Sequence, residues 1–315
     1  MPLISIDAFR DLLACPRCGS PLDGSPRLLS CTEVSCAREY PSIHESSVPV
    51  LIDGDASIID IDSLLKSDAA SPVNRQHGRL QSAVYRMIKN HNEIAERCVG
   101  QMIKDLAVET KGRPRVLIVG GGEIGNGIES LYSAPGIDLL AFDIYASKNC
   151  QLVADGHQIP LATGSVDGVV VQAVLEHVLN PQRVVDEIYR ILRPGGLVYA
   201  DTPFMQPVHE GPYDFTRFSE SGHRYLFRHF AARQSGASAG LGMQLLWSIM
   251  LFGRGINPRV GQIARVAFWW LPHLDRWLDP KVTIDGACSS YFYGHSSSNA
   301  ISATDIVAYY SGQQR

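Results

Sequence analysis

Short apolar runs and amphipathic segments alternate along the chain from residue 115 onward. The segment from Pro181 to Leu192 predicts a helix, because its apolar residues recur at the helical period and Asn180 suits the N-cap. Runs typical of buried strands occupy residues 115–119, 138–142, 168–172, 197–202, 241–247 and 289–294. This alternation predicts an α/β fold, with a mainly parallel sheet covered on both faces.

The N-terminal third follows a different pattern. Residues 54–73 mix small and acidic side chains and are typical of a linker, whereas residues 74–110 repeat apolar positions at helical spacing and predict one or two helices. We therefore expect three parts: residues 1–60, a connecting region over 61–112, and a large domain over 113–315 with a helical insertion at about 249–287.

Composition and charge narrow the class of protein. The chain has 315 residues, 45% of them hydrophobic and 19% charged, which is typical of a folded globular protein. Its net charge of -4 argues against a broadly basic nucleic-acid binder. The longest apolar stretches fall well short of the roughly 20 residues that span a bilayer. No secretory signal is evident in MPLISIDAFRDLL, so we expect a cytoplasmic protein without a transmembrane segment.

Four of the seven cysteines form a cluster near the N-terminus, with the spacing Cys15-x2-Cys18-x12-Cys31-x4-Cys36. Two close pairs in turn-forming sequence can direct four thiolates at one zinc ion. A fully protein-ligated ion leaves no position for substrate, so the expected role is structural. The alternatives are a redox Cys-x-x-Cys pair and unrelated core cysteines, but the thioredoxin-like pattern of the former is missing.

The segments LLACPRCGSPL, CAREYP and VPVLI, between about residues 10 and 53, resemble the small zinc-ribbon family that activates RNA and protein methyltransferases as a partner subunit. That family also occurs fused to bacterial methyltransferases. Its second cysteine pair usually encloses two residues, where this chain has four. Cys36 is therefore the least secure ligand, and His44 is the alternative.

The run VLIVGGGEIGNG predicts a strand, a glycine turn and a helix, in which Gly120, Gly122 and Gly125 match G-x-G-x-x-G. Glycines let a ligand approach the backbone closely at the carboxyl end of a parallel sheet. The next predicted strand ends at Asp143, whose carboxylate can accept hydrogen bonds from ribose hydroxyls. At this point a nicotinamide or flavin nucleotide and S-adenosylmethionine (SAM) all remain candidates.

The segments LVADGHQIPLATGSVDGVVVQAVLEHVLNP and EIYRILRPGGLVYADTP resemble the class I SAM-dependent methyltransferases of the type 11 group, over about residues 113–230. The resemblance implies a Rossmann-like, seven-stranded methyltransferase sheet. It also implies that Gly120 and Gly122 lie under the methionine end of SAM, Asp143 holds the ribose, and Asp155 with Gly156 meets the adenine. Gln172 and residues 175–177 would line the floor of the site.

Two positions depart from that family. Ile118 stands where an acidic residue usually helps to hold the methionine ammonium, and the third glycine is displaced by one residue to Gly125. Three alternatives stay open: Glu123 replaces the carboxylate from the loop, cofactor binding is weakened, or the domain is a non-catalytic relic.

Methyl transfer to a hydroxyl needs a base near the mouth of the site. The loop after the strand LVYADTP holds our first candidates, His209 as general base and Asp214 as its orienting partner, with His177 as the alternative base. A structural ion pair between Asp214 and Arg217 is an equally good interpretation. The pattern from His209 to Phe218 resembles a methyltransferase subgroup associated with glycan and cell-surface biosynthesis.

These observations favour an O-methyltransferase acting on a small molecule or glycan, with a lipid-linked acceptor as one form of this hypothesis. The alternatives are a zinc-finger-containing RNA methyltransferase and a binding module that keeps the fold without turnover. In the insertion, Trp269, Trp270 and Trp277 lie among arginines. We expect an amphipathic helix packed as a lid, with peripheral membrane contact as the alternative.

Overall fold

A computed structural model describes Leu3 and residues 5–43, 47–66 and 91–315. The strands are β1 Leu22–Ser25, β2 Leu28–Cys31, β3 Glu39–Pro41, β4 Val50–Leu51, β5 Arg115–Val119, β6 Asp138–Asp143, β7 Leu152–Ala154, β8 Val166–Gln172, β9 Leu192–Pro203, β10 Phe230–Ala239 and β11 Ser289–Ser296. The helices are α1 Ile61–Lys66, α2 Glu93–Glu109, α3 Glu129–Ser133, α4 Pro181–Ile191, α5 Glu220–Leu226, α6 Leu241–Ile256, α7 Pro258–Ala267, α8 Pro280–Asp285 and α9 Ala303–Tyr309. Within these described ranges, none of the helices is long and apolar enough to cross a bilayer.

The main sheet has eight strands in the order β10-β11-β9-β8-β5-β6-β7-β4. The strands from β9 to β4 run parallel, whereas β11 lies antiparallel between β9 and β10. Buried valines, leucines and isoleucines fill β5 and β8 because helices cover both faces of a parallel sheet. The predicted α/β fold is therefore confirmed. The strand order reverses between β5 and β8, which opens a crevice at their carboxyl ends.

Helix α4 forms where the apolar stripe predicts it. The side chain of Asn180 accepts a hydrogen bond of 3.1 Å from the backbone N–H of Arg183, and Pro181 occupies the first turn. Val184, Val185, Ile188 and Ile191 are buried against the sheet. The chain enters β9 directly after the helix, and Gly195 allows the turn within that strand by adopting a φ of 78°.

Two predictions of secondary structure fail in the C-terminal part. The strand predicted at 241–247 is wrong, since these residues begin α6, a helix of 16 residues. A short apolar run fits a buried strand or a helix equally well, and here the apolar run continues as far as Ile256. Strand β10 was not predicted, because FAARQSGASA lacks apolar alternation and pairs only with β11 at the edge of the sheet.

The helical prediction for residues 74–110 is confirmed over α2, and its residues 74–90 lie outside the described ranges. The predicted linker contains α1, whose Leu64 is buried. The predicted closing strand at 289–294 corresponds to β11.

The N-terminal segment, which we define as the described residues up to 66, is joined to the main sheet by backbone pairing and by a shared core. β4 lies parallel to β7, with Val50 opposite Val153 and Leu51 opposite Ala154. The backbone N–H of Val153 donates to Pro49 O at 2.9 Å. Phe9, fully buried in the 3-10 helix Ile6–Leu12, belongs to the same hydrophobic cluster as the residues of β5 and β8. The stability of the N-terminal segment is thus coupled to that of the sheet.

We expect Phe9→Ala to lower the free energy of unfolding of the whole chain by about 3–5 kcal/mol, because truncating a buried Phe leaves a cavity. Val34→Ala is the control, since Val34 is 91% exposed and its truncation leaves no cavity. Denaturant titration followed by tryptophan fluorescence measures both, because all four tryptophans lie outside the N-terminal segment. A Phe9→Ala protein with unchanged fluorescence transition would contradict the shared core.

Candidate functional site

The four clustered cysteines converge on one point between β1, β2 and the preceding turn. Their sulfur atoms all lie within 4.8 Å of one another, with Cys15 to Cys36 at 3.8 Å and Cys18 to Cys31 at 3.4 Å. Four thiolates around zinc, at Zn–S distances of about 2.3 Å, lie about 3.8 Å apart in a tetrahedron. The arrangement is therefore compatible with a zinc ion held by all four, Cys36 included. His44, the alternative ligand, lies outside the described residues.

Local hydrogen bonds hold the first cysteine turn in shape. The backbone N–H of Gly19 donates to Cys15 O, and that of Cys15 donates to Ser20 O, each at 2.8 Å. Gly19 has a φ of 78°, which a residue with a side chain adopts only with strain. Around the cluster, Arg17 and Arg38 both pair with Asp55. These contacts hold the backbone around the thiols.

The glycine loop after β5 lies directly against the end of β6. The backbone N–H of Gly122 donates to Asp143 Oδ2 at 2.8 Å, and that of Ile144 donates to Asp143 Oδ1 at 2.7 Å. Ser147 and Asn149 both donate to Gly122 O, at 2.6 and 3.1 Å. The Asp143 carboxylate thus stands beside the loop backbone, where the resemblance places the ribose of SAM.

The loop requires glycine at three positions because neighbouring side chains leave no room for a Cβ there. A Cβ at Gly120, which has a φ of 75°, would overlap Val174. One at Gly122 would lie 2.7 Å from Asp143 Oδ2, and one at Gly125 would overlap the side-chain oxygen of Gln172. The amide nitrogen of Gln172 donates to Asn126 O at 3.1 Å, which leaves this buried oxygen without a hydrogen-bond partner. An acceptor oriented at the loop suits a ligand with a donor there, such as the methionine ammonium.

Ile118 does not contribute to this site. It is 2% exposed in β5 and packs in the hydrophobic core, so the carboxylate usual in the resembled family has no equivalent on that strand. Glu123 lies exposed in the glycine loop, and Gln172 offers its uncharged oxygen nearby.

Asp155 is buried and fully engaged by neighbours. Its Oδ1 accepts hydrogen bonds from the ring Nδ1 of His157 at 2.6 Å and from the backbone N–H of that residue, and its Oδ2 accepts from Ser57 Oγ at 2.5 Å. Burial alone would raise the Asp155 pKa, but the hydrogen bonds from His157 and Ser57 outweigh it and lower the pKa. Gly156, next to Asp155, is buried against Val184.

Ser57 reaches Asp155 from the N-terminal segment, a contact that no feature of the sequence predicted. Ile144, directly after Asp143, was also missed; it is 36% exposed although aliphatic. An apolar residue following the carboxylate that the resemblance assigns to the ribose was the signal that could have identified it.

A second group of polar residues lies at the mouth of the crevice, and we call Glu176, His177, His209 and Asp214 the mouth cluster. Glu176 Oε1 lies 3.6 Å from His177 Nε2 and 3.5 Å from His209 Nε2. His209 Nδ1 lies 3.4 Å from Asp214 Oδ2. The two imidazole rings meet edge to face, with centroids 4.8 Å apart. The structure thus brings together all three predicted catalytic residues, and it adds Glu176.

Backbone contacts fix the mouth cluster. Glu176 and His177 lie on the 3-10 helix Leu175–His177, which follows β8 through Ala173 at a φ of 53°, a strained conformation for alanine. The backbone N–H groups of Phe215 and Thr216 donate to Glu176 O at 2.8 and 3.2 Å. These bonds hold the loop that carries His209 and Asp214 against the end of the sheet.

Asp214 is held mainly by Arg217. Arg217 pairs with both carboxylate oxygens, with its Nη2 2.6 Å from Oδ2, and the backbone N–H of His209 donates to the same Oδ2 at 2.8 Å. These contacts lower the Asp214 pKa despite its partial burial. The predicted structural ion pair is therefore present, and Asp214 also faces the His209 ring.

The mouth cluster contains a buried carboxylate that affects the pKa of a neighbouring histidine. Glu176 is 0% exposed, and among the described residues the nearest partners of its carboxylate are the two ring nitrogens at 3.5 and 3.6 Å, beyond ordinary hydrogen-bond length. Burial disfavours the charged form of His209, but the facing carboxylates of Glu176 and Asp214 outweigh it and raise the His209 pKa. A raised pKa makes His209 a weaker candidate for a base that must start unprotonated at neutral pH.

Comparisons with known proteins address the central part of the chain. Residues 124–200 match the family described as a methyltransferase domain. An uncharacterized chloroplastic methyltransferase of Arabidopsis thaliana is 37% identical over 76 residues, which cover 24% of this chain and 20% of that protein. An uncharacterized methyltransferase of Mycolicibacterium gilvum is 39% identical over 80 residues, covering 24% of this chain and 31% of that protein. The match thus spans only about a fifth to a third of these relatives.

A crystal structure of a SAM-dependent methyltransferase from Archaeoglobus fulgidus aligns with 68% of this chain and 98% of that chain, at 14% identity and a TM-score of 0.43. This likeness is too distant to carry an argument. The family match and the relatives' names support the prediction of a class I SAM-dependent methyltransferase domain in this part of the chain.

For the cysteine cluster we expect about one zinc ion per chain in the purified protein, measured by elemental mass spectrometry. Cys18→Ser should reduce the zinc content at least severalfold, because it removes one of four thiolate ligands from an exposed position that does not support the core. Cys98→Ser, in the buried face of α2, is the matched control and should retain the metal. Equal zinc content in the two variants would refute the zinc ribbon.

Proposed function

We propose that this protein is a SAM-dependent methyltransferase that methylates a hydroxyl group of a small molecule or glycan, with a lipid-linked acceptor as the most specific form of the proposal. The observation that carries it is the contact between Gly122 and the Asp143 carboxylate, at the carboxyl ends of β5 and β6, in a chain whose residues 124–200 match a methyltransferase domain. We also propose a cytoplasmic location.

The chain's own residues divide the work between two sides of the crevice. On the cofactor side, Gly120, Gly122 and Gly125 let the backbone approach SAM, while Asp143 accepts hydrogen bonds from its ribose. Bound SAM supplies an electrophilic methyl group on a sulfonium. On the acceptor side, the mouth cluster positions the hydroxyl and removes its proton. His177 Nε2 is the ring nitrogen that accepts that proton, since the raised pKa of His209 makes His209 the weaker base.

The apolar surface of the insertion supports a lipid-linked acceptor. We define the α6–α7 surface as the exposed apolar side chains of α6, α7, the turn at 268–270 and the 3-10 helix Leu271–Trp277, namely Leu245, Leu251, Phe252, Ile256, Val260, Ile263, Val266, Phe268, Trp269, Trp270 and Trp277. The opposite faces of α6 and of the 3-10 helix pack together in a buried cluster of Leu246, Met250 and Leu271, whereas Phe252 remains 76% and Trp277 70% exposed.

Charge on the same surface favours an anionic layer. Residues 241–277 contain four arginines and one carboxylate, Asp275, which accepts a hydrogen bond of 2.6 Å from the backbone N–H of Gly242. Exposed tryptophans beside arginines are typical of segments that lie at the boundary between lipid headgroups and acyl chains. This combination supports peripheral contact with a membrane and, with it, an acceptor carried on a lipid.

An RNA methyltransferase is the second candidate, and it finds less support. The arginines nearest the cysteine cluster, Arg17 and Arg38, are paired with Asp55 and are not free to contact phosphate. The overall charge is -4. A binding module without turnover is the third candidate, and the two histidines grouped around Glu176 at the crevice mouth favour an enzyme over it.

Isothermal calorimetry with SAM tests the cofactor assignment. Asp143→Ala should weaken binding roughly tenfold to hundredfold, because a hydrogen bond to a charged group contributes about 1.5–3 kcal/mol. Asp138→Ala is the matched control: Asp138 begins the same strand at the opposite edge of the sheet and pairs with Arg113, so its removal should leave the dissociation constant unchanged. If the wild-type chain does not bind SAM at all, the enzyme proposal fails.

Labelled SAM tests the acceptor class. Incubated with total RNA and with a glycolipid extract of the producing cells, the protein should transfer label to the glycolipid fraction. Phe252→Ser should reduce that transfer, whereas Val108→Ser, which alters an equally exposed residue on α2, should not. Label confined to RNA would replace the proposal with the second candidate. Equal effects of the two substitutions would show that the α6–α7 surface does not take part in binding the acceptor.

A further inference from the structure

Three residues of the mouth cluster offer metal ligands toward a common point. His177 and His209 each present a ring nitrogen, and Glu176 presents a carboxylate oxygen, with all three atoms within 4.8 Å of one another. We propose that Glu176, His177 and His209 bind a divalent cation of the first transition series at the mouth of the crevice. The inference deepens the proposed function. The role of the cation in methyl transfer rests on that function, but the binding of the cation does not.

The spacing of the atoms fits coordination better than hydrogen bonding. Glu176 Oε1 lies 3.5 Å from His209 Nε2 and 3.6 Å from His177 Nε2, which is beyond a good hydrogen bond in both cases. Ligand atoms on a metal at bonds of about 2.0–2.2 Å lie roughly 3.0–3.5 Å from one another. A cation placed between these three atoms would need only small movements of the side chains.

The outer nitrogen of His177 is arranged as it is in metal sites. His177 Nδ1 lies 2.8 Å from the backbone carbonyl of Tyr213, and a carbonyl only accepts, so Nδ1 carries the proton and Nε2 keeps its lone pair. A carbonyl behind a ligating imidazole fixes its tautomer and orientation. His209 Nδ1 faces Asp214 Oδ2 at 3.4 Å, which is too long for a good hydrogen bond, so this contact orients the ring without fixing its tautomer.

Glu176 supplies an independent reason for a cation. Its side chain is completely buried, and within the described part of the chain neither oxygen has a hydrogen-bond partner; the nearest groups are the two ring nitrogens, 3.5 and 3.6 Å from Oε1. Burying a carboxylate without compensation is costly. A protonated His209 would compensate part of that charge, but it would leave His177 Nε2 without a role. A cation satisfies Oε1 and both ring nitrogens together.

The donor set indicates the class of ion. Two imidazole nitrogens and one carboxylate suit Mn²⁺, Fe²⁺, Co²⁺ or Zn²⁺, whereas Mg²⁺ and Ca²⁺ prefer oxygen ligands. Three protein ligands leave further positions open, and an acceptor hydroxyl bound there would lose its proton to water more readily. In the transfer itself the new bond joins the acceptor oxygen to the methyl carbon, and the bond from that carbon to sulfur breaks. The cation would then replace His177 as the activating group.

The position of the cluster connects it to methyl transfer. Val174, which fills the space that a side chain at Gly120 would occupy, precedes Glu176 by two residues. The proposed cation therefore lies beside the part of the glycine loop that the methionine end of SAM would approach. An acceptor bound to the cation would face that end of the cofactor.

Titration of the zinc-loaded full chain with Mn²⁺, followed by electron paramagnetic resonance, tests the site. We expect one Mn²⁺ site per chain, because Mn²⁺ does not displace zinc from four thiolates. His177→Ala and Glu176→Gln should each weaken Mn²⁺ binding at least tenfold. His229→Ala removes a histidine outside the cluster and should leave binding unchanged. Thermal denaturation checks that Glu176→Gln, a change at a buried position, still folds, and His177→Ala gives an answer independent of it.

The outcomes separate this inference from the proposed function. Absence of a specific Mn²⁺, Co²⁺ or additional Zn²⁺ site in a wild-type chain that binds SAM would overturn the cation site and leave the methyltransferase intact. Binding of Mn²⁺ that is unaffected by both cluster variants would also overturn it. A one-to-one Mn²⁺ site lost in both variants, in a chain that does not bind SAM, would establish the site and remove the proposed enzyme.

Discussion

The parallel pairing of β5 with β8 is the constraint on which the rest of the crevice depends. Val119 ends β5 opposite Val171 of β8, so the residues that follow the two strands leave the sheet at the same edge. The glycine loop follows β5, whereas Gln172 and the helical turn with Glu176 follow β8. Neighbouring strands then add Asp143 from β6 and the loop with His209 from β9. Residues far apart in sequence meet here because parallel strands share one carboxyl edge.

The N-terminal segment extends this arrangement instead of standing apart from it. β4 adds an eighth strand beyond β7, and the pairing places the following residues beside the loops that end β6 and β7. Ser57 then reaches Asp155, and Ile59 and Leu64 pack in one cluster with Tyr145. A change in the cysteine cluster can therefore affect the crevice through β4. The hydroxyl of Ser57 bonds to the carboxylate that the resemblance assigns to adenine.

The sequence predicted the central strands well because burial on both faces leaves a continuous apolar run, as in the three consecutive valines of β8. It failed at β10, where small and polar residues form an edge strand that is determined by its partner β11. It also failed at α6, because an apolar run does not reveal its period when almost every position is apolar. The positions of the loop glycines and of Asp143 could be predicted because both belong to local sequence motifs. The contact of Ser57 with Asp155 and the burial of Glu176 depend on long-range packing, which no local pattern encodes.

The position of Glu176 determines which role we assign to the two histidines of the mouth cluster. Considered from the sequence, His209 and Asp214 resemble a base with its orienting acid, and Glu176 is one residue of a floor segment. In the structure, Asp214 is largely occupied by Arg217, while Glu176 lies buried between both ring nitrogens with its oxygens unpaired. A carboxylate in that position raises the pKa of His209 and so opposes its use as a base. The same carboxylate strengthens a site for a cation, so the arrangement that weakens one mechanism for activating a hydroxyl supports the other.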